Sequence, residues 1–418
     1  MFERSVNMEI KSLSCACAVL AAIAAVADAT DPQVTLVSAG QDLNRVVTVK
    51  YALDEPAVVT FDVLTNGVSI GAENLKTASG DVWRVVAATG AGEERTISWN
   101  AYESWPDHRF KNGEVSVKVT AWATNSPPDY MVIKLVGEDK GSRTFYTAPE
   151  QLPGIGGVTN DMYKTDYLVM RRIPAAGKTF RMGSPSTERG RRANEIIHYV
   201  SLTNDFYMSV FKLTQGQYSN VVGVAAATSS YIVNYSYSPF HPVHAVFYTS
   251  FRGSTKRWPA NGHDIDAGST LNTFRTTLNL PTLDLSTEAE WEFACRAGTL
   301  SGRYDGTEYP ADASRLAWLA EGRGPSPRAV GLLMPNGYGL YDMYGNVCDF
   351  CLDRYAADAT YATEGETVIA PQGPSSGNPV VRGVSTWWSS NGEGARSAYR
   401  DELGSMWNMA GYRLVFTF

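Results

Sequence analysis

The chain has 418 residues, of which 44% are hydrophobic and 19% are charged, so it is long enough for two or three folded domains. Its formal net charge of −7 argues against a nucleic-acid-binding surface. Beyond the N-terminal segment the sequence has no apolar run of about eighteen residues, so we expect no membrane-spanning helix there.

Residues 1–29 have the pattern of a secretory signal peptide. Lys11 precedes a small, apolar run, and residues 27–29 (Ala-Asp-Ala) fit the small-x-small cleavage motif, which gives a mature chain from Thr30. Met8 is an alternative start, because the charged region is better placed there, and a buried N-terminal helix is the competing interpretation. We therefore expect export to the periplasm, the cell surface or the medium.

Residues 30–140 are predicted to form an all-β domain. Apolar and polar residues alternate along "VVTVKYALDEPAVVTFDVLTNGVSIG" and again along "EVSVKVTAWAT", as in half-buried strands. Asn66-Gly67 lies between two such runs and predicts a two-residue hairpin turn. The length and spacing of the strands favour an immunoglobulin-like sandwich that serves as a spacer or docking module.

A segment rich in Gly, Pro, Ser and Thr predicts a linker over 141–162, followed by a second domain over 163–418. Two of its helices begin with capping boxes, formed by Thr214 with Gln217 and by Thr287 with Glu290. A third helix is predicted along "STLNTFRTTLN", with its apolar residues on the inner face. Elsewhere turn residues are so frequent that long irregular loops are expected, which makes this domain α+β.

Five blocks occur in order along the second domain, and together they are more specific than any one alone: "RRIPAAGKTFRMGSP", "FYMSVFKLTQGQY", "STEAEWEFACRAGT", "NGYGLYDMYGNVCDF" and "VVRGVS…ARSAYR…AGYRLV". They resemble the formylglycine-generating enzyme family, also called the sulfatase-modifying factor family, from about Tyr163 to Phe418. The resemblance implies an irregular α+β fold related to C-type lectins. A shared fold does not by itself fix the function.

The resemblance also implies a reaction. Active members oxidise a cysteine of a target sulfatase to formylglycine with copper and oxygen, and their copper lies between two cysteine thiolates after the "RGVS" block. Cu(I) prefers such soft ligands. Here no Cys follows Cys351. We therefore expect no copper, no catalytic residue and a non-catalytic binding protein, with formylglycine-type oxidation of a sulfatase cysteine as the alternative function.

Family members hold calcium in the block that contains "GLYDMYGNVCDF". Carried over residue by residue, the ligands would be the carboxylates of Asp342 and Asp349 and the main-chain carbonyls of Gly345 and Val347. Ca²⁺ is a hard ion that takes several oxygen ligands, so the donor types suit it. Asp349 replaces the Glu usual in the family, and a solvated acidic turn is the competing interpretation. A second family calcium site, near 316–321, has no recognisable ligand pattern here.

After removal of the leader, three cysteines remain: Cys295, Cys348 and Cys351. In an oxidising compartment the simplest arrangement of three cysteines is one disulfide and one free thiol. A bond between Cys295 and Cys351 would give that arrangement, although the sequence does not assign the bond. The C-x-x-C at 348–351 lacks the second pair of a zinc site, so we interpret it as structural rather than redox-active. "HPVH" at 241–244 favours packing over metal binding, because its Pro indicates an extended segment.

The predicted ligand surface is the loop face near the C-terminus. Its aromatic and amide residues lie where active relatives hold copper and substrate: Trp387, Trp388, Asn391, Trp407 and Asn408. Such side chains suit a peptide, protein or glycan ligand, although core packing of the first two Trp is the competing interpretation. A structural surface protein, whose β domain docks to a partner, is a third hypothesis compatible with binding. Four arginines of the family blocks are expected to pair with core carboxylates: Arg382, Arg396, Arg400 and Arg413.

Overall fold

A computed structural model describes residues 4–9, 11–12, 32–108, 113–223, 237–308, 310–319, 326–356, 365–385, 392–402 and 410–417. It divides into two compact units, one of residues 1–132 with 143–160 and one of residues 133–142 with 161–418. No helix within the described ranges combines the length and apolar character needed to cross a bilayer.

The first part of the chain is built almost entirely of strands. The strands described there are β1 (Arg4–Glu9), β2 (Lys11–Ser12), β3 (Val34–Gln41), β4 (Val46–Leu53), β5 (Ala57–Thr65), β6 (Val68–Ser69), β7 (Ser79–Gly80), β8 (Val85–Val86), β9 (Arg95–Asn100), β10 (Val115–Trp122), β11 (Tyr130–Lys134) and β12 (Arg143–Tyr146). The short helical segments are α1 (Ala101–Ser104) and 3-10 turns at Ala72–Leu75, Pro149–Gln151 and Gly157–Thr159.

Two sheets make the first unit, and they face each other across one core. Their strand orders are β1-β10-β5-β6, with β8 beside β5, and β2-β3-β4-β9-β7. Phe61 of β5 and Trp99 of β9 have ring centroids 6.5 Å apart across that core. The predicted β sandwich is therefore present, and its hairpin is confirmed because Asn66 and Gly67 join β5 to β6 with φ of +49° and +80°.

The N-terminal segment contributes two of these strands. β1 pairs antiparallel with β10, and β2 pairs parallel with β3. Both strands precede the predicted cleavage site, so cleavage after Ala29 would remove them and leave β10 as an edge strand. Residues 13–31, which contain most of the apolar run, lie outside the described part of the chain. The signal peptide stays a prediction.

The second unit mixes short helices with short strands, which confirms the predicted α+β class. Its helices are α2 (Gln215–Val222), α3 (Tyr248–Phe251), α4 (Thr270–Leu278) and α5 (Glu288–Arg296), with 3-10 turns at Asp161–Lys164 and Pro310–Arg315. Its strands are β13 (Tyr167–Ile173), β14 (Thr179–Met182), β15 (His198–Ser201), β16 (Phe206–Ser209), β17 (Leu283–Leu285), β18 (Ala317–Trp318), β19 (Tyr344–Gly345), β20 (Cys348–Arg354), β21 (Thr367–Ile369), β22 (Pro379–Arg382), β23 (Arg400–Glu402), β24 (Ala410–Gly411) and β25 (Leu414–Thr417).

Small sheets hold these strands together. The strand orders are β13-β16-β25-β17, β14-β15-β21, β18-β19 and β23-β22-β20-β24. Both predicted capping boxes are confirmed, at Thr214 before α2 and at Thr287 before α5. The predicted third helix is α4, and its apolar residues are fully buried as expected: Leu271, Phe274 and Leu278. The strand β20 crosses the middle of its sheet and carries Asp349 into the core.

Candidate functional site

The predicted ligand surface falls outside the described ranges. That applies to all five of its residues: Trp387, Trp388, Asn391, Trp407 and Asn408. The segments that lead into it are described, since β22 ends at Arg382 and β23 spans Arg400–Glu402. The surface therefore stays a prediction.

The block predicted to bind calcium lies in the core of the second unit. Asp342, Gly345, Val347 and Asp349 are all buried, which excludes the alternative of a solvated acidic turn. The backbone turns sharply here, with φ of +54° at Asp342 and +74° at Gly345. A Cβ at Gly345 would lie 2.5 Å from the carbonyl oxygen of Trp318, so this position requires glycine.

Three side chains contact the Asp349 carboxylate. The Lys212 Nζ lies 2.8 Å from Oδ1, and Oδ2 accepts hydrogen bonds from Trp291 Nε1 at 3.0 Å and Arg413 Nε at 3.2 Å. Burial alone would raise the pKa of Asp349, but the charges of Lys212 and Arg413 outweigh it and hold that pKa below its usual range. Asp349 is thus an ionised carboxylate beside Arg413 and Lys212. Burial lowers the pKa of Lys212 below its usual range, and the charge of Asp349 acts against that fall.

Asp342 is the second carboxylate of this cluster. Its Oδ2 accepts a hydrogen bond from the Gly331 amide at 2.7 Å, whereas Oδ1 is buried with no hydrogen-bond partner among the described residues. Burial raises the pKa of Asp342, and the charges of Lys212 and Arg413 act against that rise. We call Lys212, Asp342, Asp349 and Arg413 the Lys212 cluster.

The Lys212 cluster does not fit a calcium ion. Ca²⁺ needs six to eight oxygen ligands at about 2.3–2.6 Å. The Asp349 Oδ2 already accepts two hydrogen bonds, and a metal on Oδ1 would share that oxygen with the Lys212 ammonium 2.8 Å away, although Oδ1 itself has no hydrogen-bond partner among the described residues. Two basic groups also balance two carboxylates, so a divalent ion would add uncompensated charge to a buried site.

Lys212 is the one member of the cluster that the sequence analysis did not single out. It lies in the block "FYMSVFKLTQGQY", whose residues 206–218 are all buried. Lys212 is the single charged residue of that block. A lone charge in an apolar run requires a buried partner, so this pattern was a usable signal.

The other family-block arginines do what was predicted of them. Each pairs with carboxylates in the interior: Arg382 with Glu288 and Glu292, Arg396 with Glu188 and Glu195, and Arg400 with Glu288. Burial would raise the pKa of Glu288, but Arg400 and Arg382 lower it to about 2. These guanidinium groups stabilise the fold and have no free face for a substrate.

The three cysteines correct one expectation, because none of them is disulfide-bonded. The Cys295 thiol donates instead to Ser397 Oγ at 3.7 Å. All three side chains are at most 1% exposed. Burial raises the pKa of Cys295 to about 11 and raises the pKa of Cys348 and Cys351 further above the ordinary thiol value.

The "HPVH" segment packs as predicted. His244 is 2% exposed, and its Nδ1 lies 3.2 Å from the carbonyl oxygen of Pro242. Burial lowers the pKa of His244, so it is neutral at pH 7. Across the described ranges no group of three or more His, Cys, Asp or Glu side chains is arranged to hold a metal ion.

A cavity of about 570 Å³ opens beside α5 in the second unit. Part of its wall is aromatic: the ring centroids of Phe180 and Phe293 lie 5.3 Å apart in an edge contact, and those of Phe293 and Tyr338 lie 6.3 Å apart. Tyr199, which is 42% exposed, also lines the cavity. The charged residues that line it are all basic: Lys178, Arg181 and Arg296, of which Arg296 is already paired with Glu292 at 2.8 Å. An apolar group beside an anionic one suits such a lining.

A family model and several known proteins are similar to this chain. The Sulfatase-modifying factor enzyme 1-like domain matches residues 169–418. The formylglycine-generating enzyme of Thermomonospora curvata is 38% identical over 109 residues, which cover 23% of this chain and 36% of that protein. Serine/threonine-protein kinase pkn1 of Chlamydia pneumoniae is 38% identical over 117 residues, which cover 28% of this chain and 18% of that protein.

Two solved structures also resemble this chain. Treponema denticola variable protein 1 has a TM-score of 0.47 at 22% identity, covering 60% of this chain and 96% of that one. PvdO from Pseudomonas aeruginosa has a TM-score of 0.47 at 20% identity, covering 60% and 94%. The chain spans about a third or less of the two curated relatives' own length.

Proposed function

This chain belongs to the sulfatase-modifying factor family, and we propose that it is an exported, non-catalytic member that binds a peptide, protein or glycan. One observation carries the proposal. The segment that follows the "RGVS" block, where active relatives place their copper-binding cysteine pair, contains no Cys. A thiolate pair is what Cu(I) requires, so the family reaction lacks its metal ligands here.

The remaining cysteines do not offer a substitute. A thiol must be deprotonated and reachable to bind a metal or attack a substrate. Cys295, Cys348 and Cys351 are buried, and burial raises the pKa of each. At neutral pH they are therefore protonated, closed off from solvent and suited to packing.

The cavity beside α5 supports a binding role and narrows the choice among the proposed ligand classes. The aromatic part of its wall suits an apolar side chain, and its basic lining suits a neighbouring carboxylate. Of the three ligand classes, a peptide with an apolar residue next to an acidic one fits best. The loop residues Trp387, Trp388, Asn391, Trp407 and Asn408 remain the second proposed contact surface.

Peptide binding to this cavity has a matched test. Tyr199→Ala removes an aromatic side chain from the cavity lining, and Tyr237→Ala removes one of the same 42% exposure that does not line the cavity. We expect Tyr199→Ala to weaken the binding of acidic-aromatic peptides about tenfold and Tyr237→Ala to leave it unchanged. Equal binding by both variants, measured by fluorescence titration, would place the ligand elsewhere.

The alternative function is formylglycine-type oxidation of a sulfatase cysteine, which family membership favours and the missing cysteines oppose. A turnover assay separates the two. The purified chain is mixed with copper, oxygen, a thiol reductant and a cysteine-containing sulfatase peptide, and the peptide is followed by mass spectrometry. We expect no aldehyde product, while an active formylglycine-generating enzyme run in parallel converts the peptide.

Export is part of the proposal and rests on the pattern of residues 1–29. The strands β1 and β2 lie within this segment, so they belong only to an uncleaved chain. Intact-mass measurement of the protein after expression with its leader distinguishes the two forms. A mature chain that begins at Thr30 is expected, and a chain that keeps residues 4–12 would contradict export by this leader.

A further inference from the structure

We infer that Lys212 is the structural cation of the second unit: its ammonium group, with Arg413, neutralises Asp349 and Asp342 where the family resemblance implied calcium. The inference does not depend on which ligand the chain binds. It concerns how the irregular loops around β20 are held together. A calcium-independent core is its measurable consequence.

The ammonium group of Lys212 lies against a predicted calcium ligand. Lys212 is 0% exposed, and its Nζ lies 2.8 Å from the Oδ1 of an equally buried Asp349. Asp349 is the residue that aligns with a family calcium ligand. A carboxylate oxygen in contact with a buried ammonium has its charge compensated without a metal.

The Lys212 cluster joins segments that are separate in the sequence, as a structural ion does. Lys212 follows β16, Asp349 lies in β20, Asp342 precedes β19 and Arg413 precedes β25. Leu213, the residue after Lys212, is fixed by two backbone hydrogen bonds. Its amide donates to the Tyr412 carbonyl at 2.8 Å, and its carbonyl accepts from the Val243 amide at 2.8 Å.

Arg413 extends the same connection. Its Nη1 donates to the carbonyls of Ser209 at 2.8 Å and Val210 at 3.1 Å, and its Nη2 donates to the Tyr341 carbonyl at 2.7 Å. The end of β16, the segment before Asp342 and the start of β25 are therefore tied by one guanidinium group. A calcium ion would have no further segment to connect here.

The Lys212 cluster also pairs its charges. Lys212 Nζ lies 2.8 Å from Asp349 Oδ1, and Arg413 Nε lies 3.2 Å from Asp349 Oδ2. Asp342 Oδ1 lacks a hydrogen-bond partner among the described residues, and an ammonium group has three N–H donors to direct at its neighbours. A Ca²⁺ ion added beside Lys212 would repel both bases in a buried site.

The first experiment uses the unaltered full chain. Its melting temperature is measured after chelator treatment, with and without added Ca²⁺, and compared with that of Asp342→Gly, which removes the side-chain oxygens and tolerates the φ of +54°. We expect no calcium-dependent shift in the unaltered chain. A shift that Asp342→Gly retains would place calcium elsewhere and uphold the inference, whereas a shift that Asp342→Gly abolishes would overturn it.

The second experiment removes the ammonium group. Lys212→Met keeps the apolar stem but leaves the two carboxylates with Arg413 alone, so we expect a fall of about 10 °C in melting temperature. Added Ca²⁺ should restore part of that loss. Lys164→Met is the control, since Lys164 is also buried in this unit, at 5% exposed, but pairs with an exposed Asp161.

The second experiment tests the inference through the effect of Ca²⁺ on the two variants. Calcium rescue of Lys212→Met without rescue of Lys164→Met supports the inference. A folded Lys212→Met that Ca²⁺ does not stabilise would contradict it. If Lys212→Met does not fold, the comparison of the unaltered chain with Asp342→Gly still gives the answer.

Discussion

The two units of this protein use different means to hold their cores. Within the described ranges of the first unit, the fully buried polar side chains are uncharged, namely Thr60, Thr120 and Gln151. The second unit buries many charged side chains, most of them in ion pairs with each other. Regular sheets satisfy their own backbone groups, whereas irregular loops need side-chain devices to fix them.

The comparison explains why the arginines of the family blocks are not substrate contacts. Glu288 at the start of α5 pairs with both Arg382 of β22, at 2.8 Å, and Arg400 of β23, at 2.7 Å. One carboxylate therefore holds one helix to two strands. Loss of such a group leaves uncompensated buried charge, which costs far more than loss of an exposed pair.

The largest expected effect comes from breaking that junction. Glu288→Gln keeps the shape but removes the charge that Arg382 and Arg400 share, so we expect a loss of about 3–5 kcal/mol in the free energy of unfolding of the second unit. Denaturant titration followed by tryptophan fluorescence measures it. As a matched control, Arg192→Met breaks the exposed pair of Arg192 with Asp401 and should cost less than about 1 kcal/mol.

A pH effect of intermediate size is expected at Asp353. Burial, together with the charge of Glu288, raises the pKa of Asp353 to about 8. The folded state therefore prefers the protonated acid, and this preference should lower stability as the pH rises from about 4 to about 8.

Asp353→Asn should remove that pH dependence, because an amide keeps the oxygen that accepts from the Glu288 amide at 2.8 Å. We expect the variant to be more stable than the unaltered chain by about 1–3 kcal/mol at pH 8 and close to it at pH 4. Melting curves across this range test the prediction. Parallel pH profiles for the two proteins would show that Asp353 is ionised in the folded state.

The smallest effect is expected in the first unit. Gly67→Ala places a Cβ at φ +80° in the β5–β6 turn, where no atom lies within 4 Å of it. Only backbone strain opposes the change, so we expect a cost of about 1 kcal/mol. A loss as large as that of Glu288→Gln would show that the hairpin contributes more to stability than its contacts indicate.

Local patterns in the sequence predicted local structure well. The alternation along β10, the Asn66-Gly67 turn and the capping boxes at Thr214 and Thr287 each depend on a few neighbouring residues, and all four are present. The family blocks also predicted the second domain and its α+β class, because five of them occur in order.

Long-range pairing was harder to predict. No local signal tells which carboxylate Arg382 meets, because its partner Glu288 lies 94 residues away. The pairing of Lys212 with Asp349 could not be predicted for the same reason, because the two residues meet only after β16 and β20 fold into one core. The expected disulfide was wrong for a related reason: cysteine count and compartment do not fix which groups lie near each thiol, and Cys295 meets Ser397.

We propose that this family member lacks the thiolate copper site of the active enzymes. The most direct measurement is an anaerobic titration of the folded chain with Cu(I) in competition with a chromogenic chelator. We predict that the chelator keeps the copper, since Cys295, Cys348 and Cys351 are buried, protonated thiols. Withdrawal of one equivalent of Cu(I) by the folded chain would contradict the account.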